Sequence, residues 1–209
     1  MLTVKEVYEA IDAFAPFASQ ESWDNSGLLV GGMAQPADRI LTTLDISEAI
    51  VAQAVAEQVQ LVVAHHPVIF SPLKTLPPDS PVYQLAAHGI AAICVHTPLD
   101  MAPLGLNTFA HTLLEKPLAL QGTQEVLEPS WTDGRGFGWI DTSVRTWTPQ
   151  TLAQTLQTAF GEVRYSAAER SIRKIAYCSG SAASMLELAA AKGCDALITG
   201  DIKHDRWYA

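Results

Sequence analysis

The chain has 209 residues, 48% of them hydrophobic and 17% charged. That composition is ordinary for a globular protein and leaves room for one large α/β domain or two smaller lobes. The net charge of −9 disfavours nonspecific binding to nucleic acid or anionic lipid, although a metal ion can still neutralise a nucleotide's phosphates locally. The apolar stretches are strand-sized, well short of the ~20 residues a membrane helix needs. The start, Met-Leu-Thr-Val-Lys-Glu-Val, lacks the features of a signal peptide, so a cytoplasmic location is expected.

Apolar residues at helical spacing predict an amphipathic helix over residues 3–15. The stretch from Trp23-Asp24-Asn25-Ser26-Gly27 to Gly31-Gly32 reads as a turn entering a short strand. A regular alternation follows: a strand over 40–44, a helix capped by Ser47 and running to about residue 58, and a strand over 61–64. Beyond a Pro-rich loop, Pro81 opens a helix to residue 88, and 90–95 and 104–114 read as a strand and a helix. Residues 117–141 carry turn signals at Gly122 and Asp133-Gly134-Arg135-Gly136, which suggest a hairpin. Thr148-Pro149 then opens a helix ended by Gly161. A strand over 174–177, a helix capped by Ser181 and ended by Gly193, and a strand over 196–199 complete the pattern. This grammar predicts an α/β fold of two lobes with largely parallel strands, the first over residues 1–116 and the second over 117–209.

Ligand sites in open α/β sheets lie beyond the carboxyl ends of strands. Three strand ends here carry suitable side chains: His65-His66-Pro67, His96-Thr97-Pro98-Leu99-Asp100, and Gly200-Asp201-Ile202-Lys203-His204. The first two strands are joined by one crossover helix, so their ends are expected to face one crevice. Imidazole with carboxylate suits Zn, Mn, Fe, Co or Ni better than Ca or Mg. Adjacent His65 and His66 diverge enough to address two ions, and Asp100 can bridge a pair. His96 reads as a supporting or proton-transferring group. Asp201 reads equally as a helix cap, and His204, His88 and His111 as surface residues. Cys94 and Cys194 read as small core hydrophobes, and the odd cysteine count without CxxC spacing argues against disulfides or a zinc knuckle. The turn Cys178-Ser179-Gly180-Ser181 reads as tight packing, with anion contact as the rival and a nucleophile turn a distant third. Trp131, Trp139 and Trp147 read as packing residues.

Taken in order, Trp23-Asp24-Asn25-Ser26-Gly27-Leu28, Ala64-His65-His66-Pro67, His96-Thr97-Pro98-Leu99-Asp100, Gly105-Leu106-Asn107 and Thr199-Gly200-Asp201 resemble the Nif-three-like proteins, known as GTP cyclohydrolase I type 2 homologues. The resemblance covers nearly the whole chain, and the paired histidines with the downstream HTxxD are its most specific part. It implies two α/β lobes with a dinuclear divalent-metal centre in the cleft between them, assembled as a homohexamer. It implies His65, His66 and Asp100 as metal ligands, and opening of the guanine ring of GTP with release of formate, with His96 as the candidate for proton transfer. A non-enzymatic metal-binding, metal-delivery or scaffold protein is the alternative. The family's remaining His and Glu ligands follow the Gly-Asp motif, so a chain stopping at Ala209 is expected to be truncated, with an incomplete second lobe and metal site.

Overall fold

The structure is a computed structural model that describes residues 1–131, 133–166 and 169–203. It divides into two compact units, Met1–Leu99 and Asp100–Ala209. The first holds α1 (Val4–Phe14), β1 (Gly27–Val30), β2 (Ile40–Thr43), α2 (Glu48–Ala56), β3 (Leu61–Ala64), α3 (Pro81–Ala87) and β4 (Ala91–Cys94). The dividing line falls inside the short helix α4 (Thr97–Met101). The second holds α5 (Leu106–Glu115), β5 (Glu125–Pro129), β6 (Gly136–Trp147), α6 (Pro149–Phe160), β7 (Ile172–Cys178), α7 (Leu186–Ala191) and β8 (Ala196–Thr199).

Local chemistry explains most helix starts. Thr3 and Glu6 form a capping box on α1, and the Ser47 and Ser80 hydroxyls accept from Ile50 N and Tyr83 N at the starts of α2 and α3. Thr148 caps α6, with Pro149 in its first turn. Ser181 does not cap its helix: a 3-10 turn, Ala183–Met185, intervenes before α7.

The first sheet has the order β1-β4-β3-β2. Its β2–β3 and β3–β4 pairs are parallel, as the crossover helices α2 and α3 require, and β1 lies antiparallel beside β4. Val51, Ala54, Val62, Leu85 and Ala92 share one core, and every residue of β4 is buried. A strand with no solvent face reads as an unbroken apolar run, which is why its sequence shows no alternation.

The second sheet has the order β5-β6-β7-β8 and is mainly antiparallel. Here the expectation of largely parallel strands is corrected. A hairpin turn joins β5 to β6, which forces antiparallel pairing. The chain after β6 also re-enters the sheet at the same end, with Ile172 opposite Trp147. Only β7–β8, linked through α7, is parallel. Successive residues face opposite sides, so Trp139 and Ile175 join Leu114, Leu152 and Leu156, while Ile140 and Ala176 join Leu127 and Ala189. Gly138 has φ +66°, and a Cβ there would lie 2.3 Å from the Tyr177 carbonyl oxygen, so the β6–β7 approach requires glycine.

His111, expected at the surface, is buried. Its Nε2 donates to Asp141 Oδ2 at 2.9 Å, because an ionised carboxylate can only accept. Gly122 N, Thr123 Oγ1 and Thr142 N also donate to this carboxylate. Burial opposes its ionisation, but the four donated bonds outweigh that, led by His111, and hold the carboxyl below its usual range. A depressed carboxyl stabilises the fold above its unfolded value of about 3.9 and loses that contribution as pH falls through the folded value. Asp141→Asn is therefore expected to cost about 2–3 kcal/mol at neutral pH. Urea unfolding curves should show the gap between variant and parent closing in acid.

Candidate metal centre

The parallel register of β2, β3 and β4 brings their carboxyl ends to one edge: Ala64 pairs with Thr43 on one side and Cys94 on the other. The chain leaves these ends through Asp45, His65-His66 and His96. Backbone bonds extend the ladder past the strands, from His65 N to Thr43 O, from His66 N to Leu44 O and from Val95 N to Ala64 O. One nitrogen from each of His65, His66 and His96 then lies within 4.8 Å of its counterparts in the other two. The ring centroids are 4.9–5.7 Å apart.

Each imidazole is oriented through Nδ1. His65 Nδ1 lies 3.0 Å from the Val95 carbonyl oxygen, His66 Nδ1 2.7 Å from Asp45 Oδ1, and His96 Nδ1 2.8 Å from Asp24 Oδ1. Carbonyls and carboxylates accept, so Nδ1–H donates and the neutral ring keeps its lone pair on Nε2. An imidazole held by an oxygen acceptor behind it is the arrangement that supports a metal-ligating histidine. The donor set fits a first-row divalent ion that favours nitrogen.

Asp24 does more than hold His96. Its side chain is fully buried. It accepts from the Thr97 hydroxyl and backbone N, the Ser26 hydroxyl and Asn25 N. Burial opposes its charge, but the donors, His96 first, prevail and hold the carboxyl far below the usual range. Beside it, burial and then the Asp24 charge push the Cys94 thiol up to about 12. Cys94 Sγ donates to His65 O, so this cysteine supports the turn and does not act as a nucleophile. Trp23 and Phe70, both exposed, approach His96 with ring centroids at 5.9 and 6.4 Å.

Of the residues singled out in the sequence, the first unit brings together His65, His66 and His96. Asp100 falls in the second unit, where Ser179 Oγ donates to its Oδ1 at 2.7 Å. Asn107 bridges the same turn, its Nδ2 donating to Asp100 O and its Oδ1 accepting from Ser179 N. The Cys178-Ser179 turn thus supports a carboxylate, and burial, then Asp100, pushes the Cys178 thiol up to about 12. Asp201 is exposed and donates its backbone N to Gly180 O. His204 lies outside the described residues. Trp139 and Trp147 are buried, as packing residues should be.

Sequence reasoning missed Asp24 and Asp45. Asp45 follows β2, so the strand-end rule that selected His65 and His96 would have found it. Asp24 sits 72 residues from His96, and its place in a turn and in a family motif carries no sign of that partner. Asp24→Asn exchanges a buried acceptor with several donors for a group with one acceptor oxygen. It is expected to cost about 3 kcal/mol at neutral pH, measured by denaturant unfolding.

Known proteins share this chain's sequence and fold. It is 34% identical over 215 residues to a Helicobacter pylori protein named GTP cyclohydrolase 1 type 2, covering all of this chain and 81% of that one. It is 33% identical to a Streptococcus pneumoniae protein named GTP cyclohydrolase 1 type 2 homolog, covering 96% of this chain and 77% of the relative. A hypothetical protein of Staphylococcus aureus shares the fold with a TM-score of 0.84 at 24% identity, over 98% of this chain and 80% of that structure. A Bacillus cereus protein related to NIF3 does so with a TM-score of 0.85 at 18% identity, over 100% and 85%. The family model of Duf34/NIF3 (NGG1p interacting factor 3) matches residues 2–209, and the chain belongs to that family.

Proposed function

We propose that this protein is a metal-dependent hydrolase of the GTP cyclohydrolase type, opening the guanine ring of GTP and releasing formate. The observation that carries the reading is the set of three clustered imidazoles, each with Nδ1 committed to an oxygen acceptor. The names of the relatives supply the substrate. His65, His66 and Asp100 would hold two divalent ions, and a homo-oligomer, a hexamer in the fullest form of the reading, would be the working assembly.

When bound, such ions supply Lewis acidity that makes water a competent nucleophile near neutral pH. The chain's own groups do the rest. The Val95 carbonyl and Asp45 keep the His65 and His66 lone pairs on Nε2, so neither ring must change tautomer on binding an ion. His96, anchored by Asp24, presents Nε2 as a proton acceptor, and the buried carboxylate stabilises the imidazolium formed when that nitrogen takes a proton. Returning the proton to a departing nitrogen restores the starting state.

One observation favours a second reading. The His66 side chain is 45% exposed, which suits a protein that hands its ion to an acceptor as well as one that retains it. Metal analysis and a formate assay on the same preparations separate the readings. Hydrolysis predicts formate from GTP, lost in His65→Ala and His66→Ala along with tenfold or more of the metal affinity, at an unchanged fold by circular dichroism. Metal transfer to an acceptor without formate would establish delivery instead.

A further inference from the structure

A cavity of about 300 Å3 opens beside the histidine cluster, within the first unit. Asp45 and His66 form one wall, and Val68, Leu73, Leu76 and Pro77 of the Pro-rich loop form much of the rest. Leu73 and Leu76 are half-exposed there, apolar surface that a ligand would cover. Among the lining residues there is no Lys or Arg, and the only charged side chain is a carboxylate. The wider field has the same sign: residues 1–99 contain ten Asp and Glu against three Lys and Arg. Lys74 belongs to the loop but does not line the cavity.

From this lining we infer that the cavity binds the uncharged ring portion of the substrate, a neutral purine base or nucleoside, and that the triphosphate lies outside it. The identity of the ring rests on the cyclohydrolase reading; the exclusion of phosphate rests on the cavity alone. In the metal-free protein, placing a polyanion against Asp45 with no facing lysine or arginine sets like charges together in a partly desolvated space. A planar heterocycle has the complementary chemistry. Its faces cover the leucines and prolines, and a ring N–H or amino group donates to the Asp45 carboxylate. Asp45 Oδ1 already accepts from His66, so the ligand's donor would meet Oδ2. One carboxylate would then link base recognition to the orientation of the His66 ring. This matches the usual build of a small-molecule site, mostly apolar with a few placed polar groups.

The test is calorimetric titration of the intact protein with guanosine and with GTP, in chelator so that no divalent ion masks the phosphates. Guanosine should bind saturably at low salt, and GTP at least tenfold more weakly. Added salt should narrow that gap by screening the repulsion, leaving guanosine nearly unchanged. Leu76→Glu should weaken guanosine at least tenfold, and the milder Leu76→Ala about threefold, both with the parent's unfolding midpoint and metal content. Lys74→Ala should change neither ligand. The inference is overturned if GTP binds as tightly as guanosine in chelator, if guanosine does not bind, or if the Leu76 variants bind it like the parent. Formate release without guanosine binding would remove the cavity assignment alone. Guanosine binding without formate release would remove the hydrolase reading and leave the cavity standing.

Discussion

Parallel pairing of β3 with β4, in register from Leu61–Ala91 to Ala64–Cys94, is the constraint on which the histidine cluster depends. Adjacent strands lie about 4.8 Å apart, so two chains that leave a sheet at the same level deliver their next side chains within ligand distance of each other. β2 extends the same edge and adds Asp45. A shift of one residue in either pairing would turn each strand's side chains to the opposite face and dissolve the cluster. The unbroken burial of β4 and near-complete burial of β3 protect that register.

The sheet alone would leave the rings free to rotate. Three oxygen acceptors remove that freedom, and they differ in origin. The Val95 carbonyl comes from the neighbouring strand's exit, Asp45 from the end of β2, and Asp24 from the turn before β1. Asp24 also gathers Ser26 and Thr97, so one buried charge joins the β1 turn to the chain leaving β4. In the second unit Asp141 plays a comparable structural part, tying α5 to β6 and to the loop at Gly122-Thr123. Both carboxylates remain ionised despite burial because every lone pair has a donor to meet.

The electrostatics of the first unit bear on chemistry as well as stability. With cations scarce and each Nδ1 committed to an oxygen acceptor, the cluster is suited to receive positive charge. The same field is unsuited to bare phosphate. On the proposed reading the bond to be opened lies in the guanine ring itself, so the cavity beside His66 would hold that ring with its reacting edge toward the histidines and the phosphates outside.

The sequence by itself determined the order of the elements, most of the caps and the strand ends that carry chemistry. Those are local matters: apolar period, Ser, Thr and Pro at helix starts, and polar residues directly after a buried run. It marked His65, His66, His96 and Asp100, and its motifs marked the family. It overreached on parallel strands in the second sheet, because helix–strand alternation does not reveal at which end the chain re-enters. His111 was misjudged because its partner, Asp141, lies 30 residues away, and α4 was missed because five residues give too little periodicity to read. Only the tertiary structure decided that Asp24 fixes His96, that Asp45 fixes His66, and that the Cys178-Ser179 turn holds Asp100. Each of these joins residues distant in sequence, and a hydrogen bond across 72 or 79 positions leaves no local pattern from which it could be read.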